Sequence, residues 1–190
     1  MSVLETSKKQ SPAGRAWPIS IPAYHALGEA GFIPKNTELI HGAVYQKMSK
    51  SPLHSALVRR LLKLIQKTPI PGAFATSEQP ITCGDSEPEP DIAIVRGAED
   101  DFWDRHPRSA ELVIEICVTS HDFDRWKLDV YAAAEIKECW LILAPERIVE
   151  VYSPPLMGQY SVKAVHGPQG SLKSSAVPEL TLDLDPFFSR

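Results

Sequence analysis

Cysteine is scarce in this 190-residue chain: Cys83, Cys117 and Cys139 are odd in number and show no CxxC spacing. That excludes a disulfide framework and a cysteine zinc cluster. At least two of them lie in apolar strand-like runs, so they read as buried thiols of a reducing cytoplasm. The six histidines contain no HExxH spacing and no glycine-rich loop follows a strand, which leaves little for a zinc hydrolase or a nucleotide-binding fold. No apolar run approaches the roughly 20 residues that cross a bilayer. The first 20 residues mix charges, proline and glycine and lack the apolar run of a secretion signal, so the expectation is a soluble cytoplasmic protein that does not engage a membrane. A basic surplus is missing too: the net charge is −4, so any contact with nucleic acid has to be local. Ser120-His121-Asp122 holds the residue types of a catalytic triad, but neighbours in sequence cannot converge as nucleophile, base and orienter.

What is present suffices for one domain: 43% of the residues are hydrophobic, enough for a core over 17–190, with residues 1–16 as a flexible tail. Ile21-Pro22 opens a short helix that ends near Gly28 or Gly31. Thr37 to Ile40 and Ala43 to Met48 read as strands joined by a His41-Gly42 turn, with Glu38 on the first. Ser51-Pro52 is the cap and first turn of a helix to about Lys67, whose buried stripe is Leu53, Leu57, Val58, Leu61, Leu62, Leu64 and Ile65. His54, Arg59, Arg60, Lys63 and Lys67 lie largely off that stripe, either to touch phosphate or simply as a solvated face. Ala73 to Ile81 reads as a strand containing Gln79. Cys139 to Ala144 and Arg147 to Tyr152 read as a hairpin turning at Pro145-Glu146, and short alternating runs after Gly158 add edge strands.

The chain is organised around Asp91 to Tyr131. In Glu111 to Val118, period-two alternation puts Val113, Glu115 and Cys117 on one face and Leu112, Ile114 and Ile116 on the other. A strand apolar on both faces is a central one, so Glu115 stands in a poorly hydrated place and needs a proton, a partner or a cation. Asp91 opens a second apolar strand, Ile92 to Val95, after the stiff approach Glu87-Pro88-Glu89-Pro90. Beyond Glu115, Asp124 to Glu135 reads as a helix on which Asp124, Lys127 and Tyr131 share one face. Two carboxylates and a backbone carbonyl are oxygen ligands for Mg²⁺, and a nearby ammonium can orient water or offset charge on a phosphate ester. The bland alternatives are a structural ion pair for Glu115, a strand cap for Asp91 and a lysine reaching to water for Lys127.

These phrases resemble the PD-(D/E)XK nuclease superfamily, and within it the bacterial "putative restriction endonuclease" family, formerly a domain of unknown function. The resemblance runs from about Tyr24 to about Phe188. It is carried by Glu38-Leu39-Ile40-His41-Gly42, Met48-Ser49 with His54, Ser86 to Asp91, Leu112 to Ile116, Lys127 with Tyr131-Ala132, Trp140-Leu141-Ile142 and Arg147 to Tyr152. It implies a restriction-endonuclease-like α/β fold: a mixed central sheet flanked by helices, with additional N-terminal and C-terminal strands. It also implies an Mg²⁺- or Mn²⁺-dependent endodeoxyribonuclease acting on DNA; since dimers are common among enzymes that cut both strands, a homodimer is expected. Asp91 and Glu115 would bind the metal and Lys127 would position the water. Glu38, His54, Gln79, Asp124 and Tyr131 form a second tier. Three departures stand out: Cys117 occupies the place of the superfamily's strand lysine, the segment from Ser120 to Lys127 is one residue shorter than the family habit, which separates Asp124 from the family's aspartate before that lysine, and Glu135 stands where the family often has glycine. The missing strand lysine and the acidic charge favour the alternative of a non-catalytic nuclease-like module that binds DNA or a protein partner.

Overall fold

The computed structural model describes residues 17–119 and 121–189; the expected tail at 1–16 lies outside them. Helix α1 (Ile21–Glu29) starts where Ser20 accepts the amide of Ala23 and proline fills the first turn. Strands β1 (Thr37–Ile40) and β2 (Ala43–Gln46) pair antiparallel across the His41-Gly42 turn, whose residues have φ of 51° and 70°. A Cβ at Gly42 would meet Pro18 at 2.5 Å, so glycine is required there by space as well as by backbone. Helix α2 (Pro52–Gln66) is capped by Ser51 and buries Leu57, Val58, Leu61 and Ile65 of the expected stripe; Leu62 and Leu64 are partly buried, and Leu53, in the first turn, is exposed instead.

The main sheet has six strands in the order β3 (Ala73–Thr76), β4 (Ile92–Arg96), β5 (Leu112–Cys117), β6 (Glu138–Leu143), β7 (Ile148–Leu156), β8 (Gln159–His166). All neighbours are antiparallel except β5 and β6, which are parallel and therefore need a crossover. The crossover carries α3 (His121–Trp126) and α4 (Leu128–Ala133). Strands β9 (Ser171–Lys173) and β10 (Thr181–Asp183) form a separate pair before α5 (Leu184–Phe188).

Alternation along the central strands divides the core in two. Ile92, Ile94, Leu112, Ile114, Ile116, Trp140 and Ile142 pack with α2, α5 and the β9–β10 pair. Ala93, Val95, Val113, Cys117, Cys139 and Leu141 pack with α4 on the opposite face. By the same alternation Asp91 belongs with Ala93 and Val95, and Glu115 with Val113 and Cys117. Glu115 therefore serves the α3–α4 face, while Asp91, just before β4, sits at the end of the sheet where His54 of α2 also reaches its carboxylate.

Three expectations need correcting. The Asp124 to Glu135 helix is two short helices that meet at Lys127, where ψ of −11° is that of a tightened turn rather than of a continuing α-helix. The strand through Gln79 stops at Thr76: Glu78 takes φ of 56°, and Gln79 is exposed beyond it. The basic face of α2 is partly occupied, because Arg60 donates to the carbonyls of Pro186 and Phe187 at the end of α5, at 3.1 and 2.6 Å.

Glu135 explains its own departure from glycine only in part. It follows the last turn of α4 with φ of 56°, its amide bonding Ala132 while the amide of Ile136 bonds Tyr131. This is a Schellman end, built with a residue that occupies the left-handed region at a penalty.

Candidate metal centre and active site

The register of β4 and β5 pairs Ile92 with Ile114, which sets Asp91 opposite Glu115 at the end of the ladder. The two residues are locked by main-chain bonds. The Asp91 amide donates to Glu115 Oε2 at 3.3 Å, and the Ile116 amide donates to Asp91 Oδ2 at 2.7 Å. Both line one pocket of about 340 Å³, together with Glu38, Lys47, Lys50, His54, Asp124 and Lys127.

Glu115 is 4% exposed, and its Oε1 receives Tyr131 Oη at 2.5 Å and Lys127 Nζ at 2.7 Å. Burial pushes its carboxyl up to about 7; Lys127 pulls it down, while Asp124, Asp91 and Glu38 push it further up. Lys127 is itself buried, which opposes its charge, but Glu115, Glu38 and Asp124 hold it protonated above the ordinary lysine range. Its ammonium lies 3.7 Å from Glu38 and 3.5 Å from Asp124. The face predicted for Asp124, Lys127 and Tyr131 therefore survives the break in the helix.

His54 Nε2 stands 2.9 Å from Asp91 Oδ2, and that hydrogen bond raises the imidazole's pKa against the effect of burial. Its Nδ1 is buried and finds no hydrogen-bond partner among the described residues. Glu38 Oε2 accepts the amide of Glu89, on the approach to Asp91. Of the residues singled out from sequence, the structure gathers Glu38, His54, Asp91, Glu115, Asp124, Lys127 and Tyr131, and leaves Gln79 outside. One buried lysine is shared among Glu115, Glu38 and Asp124.

This donor set suits a hard cation. The acids of the pocket do not converge three at a time: among the described residues, the one such His, Cys, Asp or Glu group within 4.8 Å lies elsewhere. Two carboxylates with pocket volume beside them are the protein share of a hard divalent cation's shell when water supplies the rest.

The sequence reading missed an aromatic cluster beside the pocket, of which Tyr45 and Phe123 line it. Tyr45, Phe123 and Trp126 form a mutual aromatic cluster with centroids 5.2 to 5.6 Å apart, and His41 meets Trp126 at 5.4 Å. Tyr45 and Trp126 are partly exposed. Lys47 and Lys50 line the same pocket and pair with Glu89 and Glu78. The i, i+3 spacing of Phe123 and Trp126 was a visible signal; their meeting with a tyrosine from a distant hairpin was not.

A mixed sheet with paired acids at the end of two central strands, and a lysine over them, defines a protein of the restriction-endonuclease-like class. A family model described as "Putative restriction endonuclease" (Uma2) matches residues 24–185, and the chain belongs to that family. No curated protein matches it. Among solved structures it is similar to a "putative nuclease belonging to DUF820" from Anabaena variabilis, with a TM-score of 0.72, at 24% identity over 85% of this chain and 96% of that one. At that identity the likeness speaks for the fold. No described helix is long and apolar enough to cross a membrane.

Proposed function

We propose that the protein is a divalent-metal-dependent endonuclease that hydrolyses phosphodiester bonds of DNA. The observation that carries this reading is Glu115: a buried carboxylate held opposite Asp91, facing a pocket, with its one lysine shared among three acids. Such a group calls for additional positive charge.

Asp91 and Glu115 would hold Mg²⁺ or Mn²⁺; when bound, that ion lowers the pKa of a coordinated water and offsets charge growing on phosphorus. His54 and the Ile116 amide fix the Asp91 carboxylate, and Tyr131 fixes that of Glu115. Lys127, whose ammonium is held among Glu115, Glu38 and Asp124, would position the attacking water. Lys47 and Lys50 line the pocket in ion pairs with Glu89 and Glu78, and a phosphate would have to compete with those acids for them. The Tyr45, Phe123 and Trp126 cluster offers stacking surface to a base near the cut. Cleavage of both strands favours a homodimer, and a DNA substrate with buried free thiols fits the cytoplasm.

The test is incubation of plasmid and linear DNA with Mg²⁺ or Mn²⁺, using wild type and Glu115→Ala. Cleavage by wild type alone supports the reading; equal activity in both contradicts it. Cys117 in place of the strand lysine favours the second reading, a non-catalytic module. In that case calorimetry with Mn²⁺ would find no binding that depends on Asp91.

A further inference from the structure

Away from this pocket, three ligating groups from distant parts of the chain meet. His25 on α1, Glu87 on the approach to Asp91, and His106 in the loop between β4 and β5 place one ligand atom each within 4.8 Å of one another. Glu87 is 3% exposed; its Oε2 lies 2.5 Å from His25 Nε2, and its Oε1 accepts Thr82 Oγ1 at 3.0 Å. The two imidazoles stand edge-on with centroids 6.3 Å apart. Each segment is anchored by bonds that do not use these side chains' ligand atoms. Tyr24 Oη donates to the Thr37 carbonyl at 2.9 Å, the Glu87 amide to Leu39 at 2.6 Å, and the Thr82 amide to Pro107 at 2.8 Å. A plain His25–Glu87 ion pair needs no second imidazole, and the main chain has brought one.

The geometry points to a second metal site: one transition-metal ion of the zinc type, held by His25, Glu87 and His106. Two imidazoles and a carboxylate are a recurrent zinc ligand set that leaves a fourth position open. A cavity of about 450 Å³, lined by His25, His106, Tyr24, Lys35 and Thr37, borders the cluster and gives that position room for water or a small ligand. Thr82 supplies the outer hydrogen bond that fixes the carboxylate. Nitrogen donors separate this site from the all-oxygen pair at Asp91 and Glu115, so the two select different metals. Glu87 stands four residues before Asp91, so an ion here ties α1 and the His106 loop to the segment that delivers Asp91. The inference does not depend on nuclease activity.

The test is titration of metal-free full-length protein with Co²⁺, followed by its visible ligand-field absorption, and with Zn²⁺ by calorimetry. The proteins compared are wild type, an Asp91→Ala/Glu115→Ala double variant, His106→Ala and His25→Ala. The result expected is one tight equivalent in wild type and in the double variant, with four-coordinate Co²⁺ bands. Affinity should fall by roughly 100-fold or more in each histidine variant. Zn²⁺ should raise the melting temperature of wild type and not of His106→Ala, whose fold is verified by circular dichroism. No stoichiometric binding in wild type, binding unchanged in His106→Ala and His25→Ala, or binding abolished in the double variant would each overturn the site.

Discussion

Glu115 and Glu150 stand in one cross-strand row, each paired in register with Leu141 of β6, and both point to the α3–α4 face. Both are nearly inaccessible, yet their surroundings are opposite. Around Glu150, burial pushes the pKa up, but hydrogen bonds from Arg125, Lys163 and Tyr152 prevail and hold it down at about 2. Arg125 grips it in a fork, Nε at 3.1 Å and Nη2 at 2.8 Å, and Lys163 adds a contact at 2.9 Å. Around Glu115, burial prevails and the carboxyl rises to about 7. One glutamate is a finished structural ion cluster; the other is short of cation and opens on a pocket. A buried acid in a sheet is thus not a site in itself. The deficit of positive charge around it is what marks the site.

The largest effect that would break this contrast is catalytic. Lys127→Met should lower metal-dependent DNA cleavage by roughly 100- to 1000-fold, the scale for losing a preorganised donor at a developing charge; cleavage time courses at saturating Mg²⁺ measure it. Next comes stability. Glu150→Gln should lower the unfolding free energy by about 1–2 kcal/mol, because it removes the charge that holds Arg125 and Lys163, both partly exposed and able to turn to water. Glu115→Gln should leave the metal-free protein at pH 8 as stable as wild type or more so, since it removes a badly housed charge. Urea melts of both variants decide this.

The pH dependence should have opposite signs at the two residues. Glu150 is depressed below the ordinary glutamate value of 4.5, so its stabilisation is present above pH 4.5 and is lost as pH falls toward about 2. Glu115 is raised, so the protonated form is favoured in the fold and stability is lost as pH rises from 4.5 through about 7. The difference in unfolding free energy between each glutamine variant and wild type, followed from pH 2 to 8, should therefore shrink at low pH for Glu150 and grow at high pH for Glu115. The smallest effect lies at the end of α4. Glu135→Gly should raise stability by about 1 kcal/mol by relieving the left-handed backbone, without changing either carboxylate's titration.

The strands, α2 and the face assignments were legible because they follow from alternation and capping: Val113, Glu115 and Cys117 do share a face, and Ser51 does cap α2. Asp91 and Glu115 were legible as polar exceptions in apolar runs. The grip of His54 on Asp91 was not, because it joins residues 37 apart across two elements. The break at Lys127 was hidden because nothing in Arg125-Trp126-Lys127-Leu128 breaks a helix by propensity. Gln79 misled because the strand was read on to Ile81 across polar Ser77 to Gln79, where Glu78 turns the backbone away. The aromatic cluster beside the pocket and the His25, Glu87, His106 cluster depend on tertiary meetings that spacing does not encode.

The central claim, that Asp91 and Glu115 share one divalent ion, is tested most directly by the anomalous scattering map of a Mn²⁺-soaked crystal. The account predicts one peak about 2.1 Å from an oxygen of each carboxylate, with the remaining ligands mostly water. A map with no peak there, and with Lys127 still seated on Glu115, would contradict it.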